Sequence, residues 1–308
     1  MLDPVAFRLS SLSHKSLKHK ENNLKSRTAP ALSSFVAPCD SNSYKGAGAH
    51  AKRRSERPMS VSTEQKRKEG SLAETLRVIF HALIIAFVIR TFLFQPFNIP
   101  SGSMKATLLI GDYLFVSKYT YGYSHYSLPL SPPLFSGRIF GSEPKRGDVV
   151  VFRLPRDDSI DYIKRVIGLP GDQIQMIGGV LHINGQPVKR ERVEDFIDDE
   201  AGRPAQVRRW RETLPNGVSY TTLDMVDNGF YDNTPVYQVP PGHYFMMGDN
   251  RDNSTDSRVL SQVGYVPFEN IVGRAEIIFF SIGDGESALA LWRWPWSVRW
   301  ARLFTIVR

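Results

Sequence analysis

At 308 residues, with 42% hydrophobic and 11% aromatic side chains, the chain can fill a folded core, which excludes a disordered polymer. Its net charge of +8 is confined to one end: residues 1–70 hold 14 Lys/Arg and 6 Asp/Glu, and the remainder holds 25 of each sign. The folded part thus carries no cationic excess, which argues against nucleic acid as a partner, and the lone Cys39 excludes an intrachain disulfide or a cysteine-built metal site.

Residues 1–70 are rich in Ser, Lys, Arg and Asn without hydrophobic periodicity, and read as a disordered basic tail. Their acid-poor character also fits an organellar transit peptide, and a start at Met59 is a third reading. From Leu72 to Phe94 runs LAETLRVIFHALIIAFVIRTFLF, which as a helix is roughly 35 Å long, enough for a bilayer of about 30 Å. A transmembrane helix over 71–95 is therefore expected. Arg77 and Arg90 are placed where long side chains reach headgroups. The apolar run, Val78–Ile89, is short even with His81 allowed within it, so an amphipathic or core helix is the alternative. Lys66, Arg67 and Lys68 upstream put the N-terminus in the cytoplasm and everything after residue 95 outside.

Beyond the span the pattern turns to short β-like runs punctuated by Gly, Pro and Asp. They are 112–119, 147–154, 161–169, 172–185, 242–249 and 272–282. No βαβ alternation occurs, so a mainly β domain over 96–285 is expected, with a polar insertion or subdomain at about 187–240. The C-terminal stretch 286–308 gathers Trp292, Trp294, Trp296 and Trp300 with Arg293, Arg299 and Arg302. That mixture suits a membrane interface, and equally an aromatic patch packed on the domain.

Three clusters carry chemistry. In FNIPSGSMKATLLIGDYL, residues 97–114, Ser103 follows a Pro-Ser-Gly turn. In DYIKRVIGLPGD, residues 161–172, strand alternation puts Tyr162, Lys164 and Val166 on one face. A lysine among apolar neighbours loses its proton more readily, and a neutral amine is a competent base. Arg165 points the other way, as a structural or a surface charge. In GDNRDNSTDSR, residues 248–258, the density of turn-forming polar residues indicates a tightly hydrogen-bonded loop beside a site. A calcium loop starting at Asp252 fails, since its sixth position is Ser257 and its twelfth Val263. The histidines show no metal spacing and no GxSxG elbow exists, so neither metal nor cofactor is expected.

In this order the three clusters resemble the signal peptidase I family of Ser-Lys proteases, from the span to about residue 280. The resemblance implies Ser103 as nucleophile and Lys164 as general base. It implies Ser101 as an oxyanion donor beside the Ser103 N–H, and Ser254 as the group orienting the lysine. Asp256 and Arg258 would brace the loop, and Phe97, Ile99, Pro100, Met104, Leu108, Tyr162 and Ile163 would line the substrate pockets. The family usually has proline two residues after the Met; here that position is Ala106, which removes a rigidifying residue but no catalytic atom. The implied function is removal of signal peptides from exported preproteins at small residues such as Ala. The expected setting is a single-pass protein of the bacterial inner membrane with a periplasmic catalytic domain. The lipid bilayer and the export translocon are the expected partners, and a cysteine-free domain is compatible with the periplasm. Only eight residues, Gln95–Gly102, separate span from nucleophile, keeping Ser103 within roughly 30 Å of the bilayer. Competing readings are a Ser-Lys autoprotease of the repressor type, a non-enzymatic membrane scaffold, and an organellar enzyme if residues 1–58 are a transit peptide.

Overall fold

The structure, a computed structural model, describes residues 72–198 and 204–308. The expected tail at 1–70, with its alternative start at Met59, lies outside the described residues. The apolar segment forms helix α1, Leu72–Val88, which passes into a π-turn at Ile89–Leu93. Together they make a 22-residue helix, long and apolar enough to cross a membrane by length and composition. No residue of α1 is buried, so it is not the core helix that its sequence also allowed.

The chain then becomes mainly β. The first strands are β1 (Phe94–Asn98), β2 (Asp112–Ser117), β3 (Val149–Leu154), β4 (Asp157–Gly168), β5 (Gln173–Ile177) and β6 (Val180–Ile183). The polar region adds β7 (Gln186–Pro187), β8 (Lys189–Arg192), β9 (Phe196–Asp198), β10 (Ala205–Thr213), β11 (Ser219–Asp224) and β12 (Tyr237–Gln238). Last come β13 (His243–Met247), β14 (Val266–Pro267), β15 (Ile271–Ser281) and β16 (Thr305–Ile306). Each predicted run contains a strand, and 172–185 is the hairpin β5–β6.

The main sheet has the order β1-β2-β15-β3-β4-β13-β14, with β16 added on β15. Alternation along β3 serves two apolar layers. Val149 and Val151 join Ile99, Met104, Leu114 and Ile278. Val150 and Phe152 join Val166, Tyr244, Met246 and Ile271. The region around 187–240 is built into the same body. Its Val188, Leu214, Tyr220 and Tyr237 share a third layer with Ile167 of β4 and Phe245 of β13. Burying a side chain of this size contributes about 1.5–3 kcal/mol, so the insertion is part of the cooperative core.

The C-terminal stretch is divided between its two readings. Trp294 packs against Phe280, centroids 5.0 Å apart, while Trp292, Trp296 and Trp300 are exposed. Beyond them β16 returns to the main sheet, and Arg302 pairs with the buried Asp112 at 2.5 Å.

Candidate active site

Ser103 lies in the connection between β1 and β2. That loop is closed at its base by Ile99 N–H donating to Asp112 O at 2.9 Å and Gly111 N–H donating to Ile99 O at 3.0 Å. Inside it the backbone tightens into a 3₁₀ turn, Gly102–Met104. Met104 and Leu108 anchor this turn from below, both wholly buried in the apolar layer under it. The sequence assigned these two to the pocket walls; the fold puts them beneath the floor.

Lys164 comes from the middle of β4, where it pairs with Val150 of β3. Its Nζ is 2.7 Å from Ser103 Oγ and donates to Ile163 O at 2.9 Å. Tyr162 lies on the same side, its ring centroid 5.2 Å from Nζ, as alternation requires. Burial lowers the amine to a pKa of about 8, against the opposing pull of Asp256 and Asp249. A second buried lysine, Lys118, is also lowered to about 8, by burial and by Arg90 and Arg153. Its Nζ donates to a carbonyl, Ser127 O, at 2.5 Å, so only Lys164 of the two faces a hydroxyl that could lose a proton.

Register explains why the 248–258 loop reaches this pair. β13 pairs with β4 through Met246–Val166 and Met247–Arg165, and the loop leaves the end of β13 one residue later. Gly248 then passes against the Ser103 turn. A methyl group at its Cα would lie 2.2 Å from Ser254 Oγ and 2.6 Å from Ser103 O, so only glycine fits. Asn250 fastens the turn twice, its N–H donating to Ser103 O at 3.1 Å and its Nδ2 to Gly102 O at 3.1 Å. Asp256 and Arg258 form the expected brace, with Arg258 Nε and Nη2 on the two carboxylate oxygens at 2.9 and 2.8 Å. Burial alone would raise Asp256, but Arg258 and the Gly248 N–H hold it below the usual carboxylate range.

Ser101 Oγ is 3.4 Å from Ser103 Oγ, so the two hydroxyls face the same space. Ser254 is buried and touches Gly248, and its hydroxyl faces the Asp256 carboxylate rather than Lys164. The bond from Ser254 to Lys164 that the resemblance implied is therefore not formed in this arrangement.

Arg165 is the structural charge, not the surface one. It is fully buried and grips Asp249 through Nε at 2.8 Å and Nη2 at 2.6 Å. Thr107 Oγ1 also donates to Asp249, which ties the far end of the Ser103 loop to the same carboxylate. Sequence reasoning did not single out Gly248, Asn250, Thr107 or Asp249 individually; the polar density of 248–258 was the only signal for three of them.

At position 106 the backbone is left-handed, with φ +83°. Lys105 (φ −54°, ψ 150°) and Ala106 form a type II turn, closed by Thr107 N–H donating to Met104 O at 3.1 Å. Proline, fixed near −65°, does not reach that φ, so this turn does not accept a proline at position 106.

A groove of about 720 Å³ contains the pair. Phe97, Ile99, Pro100, Tyr162 and Ile163 line it, as expected, together with Ser101, Ser254 and residues the sequence did not nominate, among them Asp161, Tyr231 and Asp252. Asp161 is raised above its ordinary value by burial. Along this groove β4 is open: β13 covers only Arg165–Gly168 of that edge, leaving 160–164 without a strand partner on that side among the described residues. A hydroxyl beside a buried amine of lowered basicity, at the end of an open strand edge, can attack a peptide carbonyl and pass its proton on.

Comparison with known proteins gives one answer. The family described as "Signal peptidase, peptidase S26" matches residues 72–280. The chain is 47% identical to the signal peptidase I of Rickettsia typhi over 239 residues, 72% of this chain and 89% of the relative. It is 44% identical to that of Rickettsia canadensis over 263 residues, 80% and 97% of the two. A solved signal peptidase I from Enterococcus faecalis V583 is 26% identical and covers 43% of this chain and 97% of its own, at a TM-score of 0.26.

Proposed function

The chain belongs to the signal peptidase I family, and from that premise we propose that it is a membrane-bound endopeptidase working through Ser103 and Lys164. It is a serine peptidase that cleaves signal peptides from preproteins. The mechanism rests on one observation: Lys164 Nζ lies 2.7 Å from Ser103 Oγ inside a buried site that lowers the amine to about 8.

Neutral Lys164 takes the proton of Ser103 as Oγ attacks the scissile carbonyl carbon. The developing oxyanion is met by Ser101 Oγ and by the Ser103 N–H, one of the donors that the start of a helical turn leaves over. Collapse of the intermediate breaks the C–N bond. Lys164 delivers the proton to the leaving amine, and the mature protein departs. The signal peptide remains as an ester on Ser103 until a water, deprotonated by Lys164, hydrolyses it. Ser254, buried beside Gly248 and turned toward Asp256, supplies a hydroxyl that can hold the lysine once Ser103 is acylated. The apolar groove walls favour small uncharged residues before the scissile bond.

The helix Leu72–Leu93 anchors the enzyme in the bacterial inner membrane, N-terminus inside and catalytic domain outside. The exposed Trp292, Trp296 and Trp300 rest at the lipid interface. This keeps the site near preproteins still held in the bilayer or delivered by the translocon. The test is cleavage of a preprotein with an Ala-x-Ala site in liposomes by wild type, Ser103→Ala and Lys164→Ala. Cutting by wild type alone supports the dyad. Folded variants that cut as well as wild type would remove it and leave a scaffold.

A further inference from the structure

The groove does not end at Ser103 and Lys164. A peptide paired along β4 at 160–164 cannot continue past Lys164, because β13 occupies that edge from Arg165 onward. It must leave the sheet where the loop after β13 stands, and that loop lends the groove Asp252, Asn253 and Thr255, with the ring of Tyr231 also in its lining. Tyr231 belongs to the polar region between β11 and β12, whose role the sequence left open.

This wall is fixed from behind. The Arg258 guanidinium lies 5.0 Å from the Tyr231 ring centroid and is itself held by Asp256 and by Arg251 O at 2.6 Å. Asp232 accepts from Gly229 N–H at 2.7 Å, and its own N–H donates back to Gly229 O at 3.0 Å. Asp252 Oδ2 accepts from Met225 N–H and Val226 N–H at 2.7 and 3.0 Å. A half-buried aromatic ring locked this firmly in a groove wall presents a preformed contact to an extended peptide.

We propose that Tyr231, with Asp252 and Asn253, forms the site that holds the first residues after the scissile bond, the N-terminal segment of the mature protein. The insertion thereby contributes Tyr231 to the substrate site, beside two residues of the loop after β13. This rests on the Ser103–Lys164 reading, which fixes where the scissile bond lies.

The experiment uses the full chain in detergent and two substrates identical up to the scissile bond. One continues for five residues; the other ends in a single glycinamide. The ratio of kcat/KM, extended over short, is measured for wild type, Tyr231→Ala and Tyr231→Phe. The expected result is a ratio reduced about tenfold in Tyr231→Ala, the scale of one lost side-chain contact, and kept within about twofold in Tyr231→Phe. A ratio unchanged in Tyr231→Ala, whether or not both rates fall, overturns the proposal while leaving the dyad intact. Wild type cutting neither substrate removes the dyad reading and this site with it.

Discussion

Lys105 Nζ, two residues beyond Ser103, donates to both carboxylate oxygens of Asp198 at 2.9 and 2.7 Å, joining the Ser103 loop to β9 of the insertion. The lysine is buried, and its stem lies over Gly102, whose added Cβ would sit 3.0 Å from Lys105 Cε. A double-mutant cycle with Lys105→Ala and Asp198→Ala should give a coupling energy of about 1–3 kcal/mol by urea denaturation, in the range of neighbouring charged groups that share one network. Coupling below about 0.3 kcal/mol would reduce this pair to an incidental contact.

The pH profile of kcat/KM follows from Lys164. Its amine must be neutral to act, and burial lowers it to about 8. Activity should therefore rise with pH through an apparent pKa near 8 and be lost on the acid side. A profile flat from pH 6 to 10 would contradict a lysine base.

The same burial destabilises the fold. With an ordinary lysine value of 10.5 in the unfolded chain and about 8 in the folded one, the unfolded state binds more protons between these values. Stability gained from this group rises with pH through that window, and below pH 8 the full penalty applies, about 3 kcal/mol at about 1.4 kcal/mol per unit. Lys164→Met should accordingly be inactive yet more stable at pH 7 by about 1–3 kcal/mol, read as a higher Tm. A Tm below that of wild type would mean that the two hydrogen bonds of Nζ outweigh its desolvation.

Gly248→Ala forces a methyl group onto Ser103 O and Ser254 Oγ, both of which must move. Cleavage should fall by about 100-fold or more, as expected when reacting groups are displaced by an ångström. The fold should lose about 1–3 kcal/mol. Near-wild-type turnover would show that the loop yields without disturbing the nucleophile.

Ala106→Gly should stabilise the protein by about 1 kcal/mol, because glycine occupies φ +83° without the strain that a Cβ meets there. Ala106→Pro should destabilise it, since the ring cannot adopt that angle. Chemical denaturation of the two variants separates these outcomes.

The sequence by itself determined the apolar helix and five of the eight strands of the main sheet, and it nominated Ser103 and Lys164, which the fold brings to 2.7 Å. Each is written locally: apolar runs of fixed length, alternation about Lys164, and dense motifs in which a few adjacent residues carry the chemistry. Only the tertiary structure decided the rest. Arg165 could be read as structural or exposed until Asp249, 84 residues away, enclosed it. Gly248 looked like one turn glycine among many, and its intolerance of a side chain is imposed by Ser103 and Ser254. Met104 and Leu108 read as pocket walls because an apolar residue near a nucleophile suits either side of a groove, and layer packing put them beneath it. Tyr231 carries no local signal at all. The lining of a groove is set by which distant segments converge on it, and strand register, not composition, brings the insertion to the place where β13 closes the edge of β4.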